Sequence, residues 1–217
     1  VIASAKVVFI FWGPSFASGG ADNGYATTLQ AFRNQLGTSS SWNVVTQYSG
    51  IQFSNLGSGT PDWFDTSTPP TNVTDSSVRA EVNRYLASHA FNNSTIYEVV
   101  IPPSSYSSSG TSTSCGGPSL AYCAYHGWYS GISGTVKYSI QPYPSCSGCK
   151  VSGWSSAQNQ EHFVCDRTRD TVTDPTGGGW YDANGLEICQ KCGWAPILTG
   201  GAWGCGKCWS NAVHGCV

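Results

Sequence analysis

The chain has 217 residues, of which 10% are charged, and a formal charge of −2. That balance offers no basic field to nucleic acid or an anionic membrane, and no apolar run approaches the ~20 residues a membrane helix needs. One core can be buried at this length, so 1–217 reads as a single domain, with a cysteine-free half over 1–103 and a disulfide-rich half over 104–217.

Lys6 to Trp12 is an almost unbroken β-branched and aromatic run, which predicts a strand covered on both faces and ended by Gly13-Pro14. A helix follows, capped by Asp22 or Asn23, with Tyr25, Leu29, Phe32 and Leu36 on one stripe and Gly37 as its C-cap. Trp42 to Tyr48 alternates weakly and predicts a second strand, and 49–72 a long polar loop. A second helix starts at Asp75 or Ser76 with Val78, Val82, Tyr85 and Leu86 inward; His89 in its last turn suits the helix dipole better than it suits chemistry. Ile96 to Ile101 predicts a third strand, stopped by Pro102-Pro103, and 104–114 a flexible Ser/Thr/Gly loop. Val136, Tyr138 and Ile140 alternate with polar residues as in a half-buried strand. Residues 155–173 predict a polar helix ended by Asp174-Pro175, and Trp180 to Glu187 a hairpin turning at Asn184-Gly185. The last 25 residues read as irregular and disulfide-held. This order predicts an α/β (α+β) fold, a mixed sheet layered with helices.

All ten cysteines lie between Cys115 and Cys216: Cys115, Cys123, Cys146, Cys149, Cys165, Cys189, Cys192, Cys205, Cys208 and Cys216. Such density points to an oxidising compartment. The sequence holds no methionine, even at position 1, as expected after removal of a secretion signal. Sequons at Asn72, Asn92 and Asn93 suit the same setting as glycosylation sites.

Two C-x-x-C pairs, Cys146/Cys149 and Cys205/Cys208, have zinc-site spacing, but the oxidising setting favours disulfides. The strongest cluster of chemistry-bearing residues is in the polar helix. His162, Asp166 and Asp170 fall at i, i+4 and i+8 on one face, and Asp182 or Glu187 is placed to complete a site for calcium or weakly held zinc. The competing reading is a solvated face neutralised by Arg167 and Arg169. Paired carboxylates on one helix do not flank a glycosidic bond well, and no G-x-S-x-G motif marks a nucleophile. Tyr122, Tyr125, Trp128 and Tyr129 around His126 suit either sugar stacking or packing.

Several segments in order resemble the Exordium (phosphate-induced protein) family of secreted proteins: Tyr122 to Trp128 after Cys115, Val136 to Cys149, Val172-Thr173-Asp174-Pro175, Gly179 to Asp182, Asn184 to Cys192, and Trp209-Ser210-Asn211 before Cys216. Val7 to Gly13 is similar to the family's opening strand. The resemblance implies a metallopeptidase-like fold with an H-E-x-x-E zinc helix, which here is degenerate. Asp166 stands for the histidine, Arg167 for the glutamate that would activate water, and Asp170 for the second acid; Gln190 stands for a downstream acid. An arginine cannot serve as the base beside a metal-bound water. If helix and hairpin meet as the resemblance implies, Cys165 and Cys189, beside the altered positions, are expected to bond and brace the site. The alternative is a rewired site in which His162 replaces the lost histidine.

The expected function is therefore a secreted, non-catalytic, monomeric binding, cell-wall or defence protein, partnered by a cell-wall glycan or an extracellular protein. The alternatives are a metal-dependent hydrolase using His162, Asp166, Asp170 and Glu187, and a toxin or lectin-like protein.

Overall fold

A computed structural model describes residues 1–59 and 61–217. In chain order the elements are β1 (Lys6–Trp12), α1 (Asn23–Leu36), α2 (Asn43–Thr46), β2 (Trp63–Asp65), β3 (Asn72–Thr74), α3 (Asp75–Leu86), β4 (Thr95–Ile101), β5 (Tyr106–Ser109) and β6 (Ser112–Thr113). They continue as β7 (Tyr125–Gly131), β8 (Gly134–Pro142), α4 (Ser156–Thr173), β9 (Pro196–Thr199), β10 (Trp203–Gly206), β11 (Trp209–Ser210) and β12 (Gly215–Cys216). The central sheet has the order β2-β1-β4-β8-β7. Its first four strands are parallel and β7 runs antiparallel on β8. The mixed α+β architecture expected from the sequence is therefore present.

The period of two divides the sheet into two faces. Val7, Phe9, Phe11, Ile96 and Val100 meet Leu29, Phe32 and Leu36 of α1 and Val164 and Val172 of α4. On the other face Val8, Ile10, Tyr97, Val99, Tyr138 and Ile140 meet Val78, Val82 and Tyr85 of α3. The first core takes residues from both halves of the sequence, Cys165, Ile188 and Cys205 included. The cysteine-free half is therefore not a separate body. Thr74 caps α3 by accepting the Ser77 amide. His89 lies beyond the end of α3 and not in its last turn, yet its Nδ1 is 2.8 Å from the Tyr85 carbonyl oxygen and its ring is stacked on Tyr85.

Five readings from the sequence need correction. Trp42 to Thr46 is helical and not a strand: Trp42, Val45 and, just past the helix end, Tyr48 are buried at spacings of three, a helical stripe in place of alternation. The polar loop 49–72 contains β2, which pairs parallel to the end of β1. The stretch 104–114 forms β5 and β6 in a sheet with β3, because buried Ser107 and Ser114 bond to each other instead of to water. Trp180 to Glu187 is not a hairpin but a loop closed by Asp182, whose Oδ1 accepts the Asn184 and Leu186 amides. The last 25 residues include two short antiparallel ribbons, β9–β10 and β11–β12. Gly37 does end α1, but at φ −69°. A Cβ there would collide with the Ser54 carbonyl oxygen, so close approach and not left-handed backbone requires the glycine.

All ten cysteines are paired: Cys115–Cys146, Cys123–Cys149, Cys165–Cys205, Cys189–Cys208 and Cys192–Cys216. The expected Cys165–Cys189 bond is absent. β10 lies along α4 and brings Cys205 to Cys165, leaving Cys208 to take Cys189. Each C-x-x-C pair therefore splits to two different partners and forms no thiolate cage. This density of bridges fits an extracellular setting. Among the described residues no helix is long and apolar enough to cross a membrane.

Candidate functional site

Helix α4 starts at a capping box in which Ser155 accepts the Gln158 amide and Gln158 accepts the Ser155 amide. From Asn159 to Thr173 every residue except Arg167 is buried, although most are polar. The solvated-face reading of this helix is therefore overturned. A polar group buried without a partner costs on the order of 1–3 kcal/mol, so the helix is held by specific pairings.

These pairings fall into three groups. Toward β10, Asp166 lies 3.2 Å from His162 Nε2 and 3.0 Å from Arg169, which also donates to the Gly206 and Ser41 carbonyls. A Cβ on Gly206 would sit 2.5 Å from Asp166 Oδ1, so only glycine lets the strand close on this pair. Burial pushes the Asp166 carboxyl up, but His162, Arg169 and Arg167 outweigh it and hold it below the usual range. Nearby, Glu161 accepts the Gly204 amide at 2.8 Å, and burial pushes its carboxyl up to about 7.

Toward the sheet, Glu98 stands on β4 with no exposure. It accepts hydrogen bonds from Ser139, from Gln141 at 2.7 Å and from Thr168 of α4 at 3.1 Å. Burial raises this carboxyl, against those three donors.

Toward the last turn, Arg167 pairs with Asp170 at 2.8 Å, and Asp170 Oδ1 accepts the Cys189 amide at 2.9 Å. Burial opposes the charge on Arg167, but the fields of Asp170, Asp166, Glu187 and Glu98 together raise its pKa. Burial and neighbouring Glu187 push Asp170 up to about 6 even with Arg167 beside it. Glu187 holds His126 Nε2 at 2.9 Å through both oxygens and accepts from Gln190 at 3.0 Å.

His126 opens onto a cavity of about 460 Å³ around the start of β7. On its α3 side Asp75 accepts from Tyr125 at 2.9 Å and Tyr138 at 2.5 Å and pairs with Arg79 at 2.8 Å. On the other side stand Glu187, Asp174 and Trp128, whose ring is 46% exposed.

The four residues expected to share a metal do not converge. His162 and Asp166 meet, Asp170 faces Arg167, and Glu187 faces His126. Among the described residues, the only sets of three ligand atoms close enough for one ion are Cys115/Cys146/Cys149 and Asp166/Cys189/Cys208. Both contain disulfide sulfurs, which have no thiolate to give. Neither zinc nor calcium fits this donor set. Asp182, the other candidate, pairs with Lys191 at 2.7 Å.

Glu98, Asp75 and the pairing of His126 with Glu187 escaped the sequence reading. Glu98 had a signal, a lone acid within the apolar run Ile96–Ile101; the other two had none. The sequon residues Asn72, Asn92 and Asn93 are all exposed; Asn92 Oδ1 accepts the Ser94 amide at 2.8 Å and Asn93 Oδ1 accepts from Lys137 at 2.6 Å. No family model, curated protein or solved structure matches the chain.

Proposed function

We propose that the chain is a secreted, non-catalytic binding protein of the Exordium kind, in which a side-chain cation has replaced a metal. The observation that carries this reading is the place of Arg167. Its guanidinium lies on the buried helix beside Asp170, in the field of Asp166, Glu187 and Glu98. Two of these carboxylates, Asp166 and Asp170, stand where the Exordium resemblance expects ligands. An arginine repels a divalent ion and cannot take a proton from water. The disulfides that bind α4 and the 187–192 segment to the C-terminal ribbons support a rigid scaffold. The cavity beside His126 leaves a surface for a ligand, a cell-wall glycan or an extracellular protein.

Elemental analysis of the native protein, joined to hydrolysis assays on peptide and glycan panels, tests the reading. Substoichiometric metal and no turnover are expected. Stoichiometric zinc with cleavage would overturn it in favour of a site built on His162, whose buried Nε2 lacks a well-aligned hydrogen bond, and Asp166.

A further inference from the structure

The two edges of the central sheet differ sharply. At one end β2 is three residues long. At the other, β7 is seven residues long and contains no proline, lysine or acid. Among the described residues, its main chain pairs only with β8. Exposed edges are ordinarily shortened, charged or covered, because a row of free N–H and C=O groups recruits another strand. This edge has none of those protections along a length of about 23 Å.

Two cavities adjoin this strand. The cavity of about 460 Å³ borders residues 125–128, with Asp75 and Arg79 on one wall and Asp174 and Glu187 on the other. A second cavity, of about 720 Å³, borders 129–133 and is walled by Leu86, Phe91, Val136 and fully exposed Ile132. Together they flank the strand from end to end. The acidic lining at one end and the apolar lining at the other match an extended segment that carries complementary side chains.

We infer that β7 is a docking edge for an extended peptide segment of another protein, carrying a basic side chain at the Tyr125 end and an apolar one at the Ile132 end. This rests on the non-catalytic reading above and names its ligand class. The basic preference follows from three carboxylates, Asp75, Asp174 and Glu187, which outnumber the guanidinium of Arg79 paired with Asp75 and the imidazole of His126 paired with Glu187. The apolar preference follows from Leu86, Phe91, Val136 and Ile132. Main-chain pairing supplies affinity and the two cavities supply specificity.

The test uses the intact protein and capped peptides long enough to span β7, with Lys or Glu toward one end and Leu or Ser toward the other, in both orders. Titration calorimetry is expected to favour a Lys/Leu peptide over its Glu/Ser counterpart by about tenfold or more. N-methylating alternate residues should abolish binding in one phase and spare it in the other, because only every second amide faces a neighbouring strand. Ile132→Asp, at a solvent-exposed position, should weaken binding several-fold. Equal loss in both N-methylation phases, or binding of neutral oligosaccharides with no peptide bound, would overturn the inference. Mass spectrometry of the recovered peptide separates the two proposals. An intact bound peptide supports both, a bound and cleaved one overturns only the non-catalytic reading, and an unbound and uncleaved one overturns only the docking edge.

Discussion

Helices α1 and α4 cover the same face of the same sheet, one with a mainly apolar stripe and one with a mainly polar surface. α1 presents Leu29, Phe32 and Leu36 to the sheet, buries a single charge in Arg33, which pairs with Asp62, and keeps Thr27 and Asn34 in water. α4 is buried nearly all round and presents Glu161, His162, Asp166, Thr168, Arg169 and Asp170 to its neighbours. Hydrophobic burial tolerates imprecision, since any apolar side chain of suitable size recovers most of the gain. Buried charges do not, because each depends on one partner at one distance. A fold that needed only a cover for its sheet would be served by a second α1. The polar set on α4 is instead held by pairings with β4, β10 and the 187–192 segment, each specific to one partner.

The largest expected effect breaks this comparison on the α4 side. Arg169→Ala leaves Asp166 buried without its cation and the Gly206 carbonyl without a donor. It should cost about 3–5 kcal/mol in urea unfolding. Leu29→Ala in α1 removes an apolar side chain of no exposure and should cost about 2–4 kcal/mol, with no dependence on pH.

A pH titration sharpens the contrast. The Glu161 carboxyl is raised by burial from its ordinary 4.5 to about 7, so the fold favours its protonated form. Its contribution is complete below pH 4.5 and is lost as the pH rises through 7. Glu161→Gln keeps an acceptor for the Gly204 amide and should flatten this window by about 1–2 kcal/mol. The double change Arg167→Met with Asp170→Asn should be smaller still. Exchanging the pair together avoids an orphaned charge, so stability is expected to stay within about 1 kcal/mol, whereas Arg167→Met alone should destabilise clearly.

What the sequence revealed follows the same division. The strands Lys6–Trp12 and Ile96–Ile101 and the stripe of α1 were legible because apolar periodicity reports burial directly. The extent of α4 was legible too, over 155–173 with Asp174-Pro175 as its stop; the capping box of Ser155 and Gln158 is seen only in the structure. Its burial was not, since a polar helix reads as solvated when its partners lie far away in sequence. Arg169 bonds to Ser41 and Gly206, and Thr168 to Glu98. The disulfides failed for a like reason. Adjacency to altered positions suggested Cys165–Cys189, but the path of β10, invisible to local pattern, decides who meets Cys165. Strand β7 has no clear signal in the sequence, because its glycines and exposed Trp128 blur alternation.

The account turns on whether the charges around Arg167 are balanced within the chain or by a bound ion. Thermal unfolding of the native protein with and without a chelator, and with added zinc, addresses this directly, because an ion held by the folded state must raise its midpoint. Internal balance predicts the same Tm in all three conditions. A Tm that falls in the chelator and recovers with zinc would contradict it.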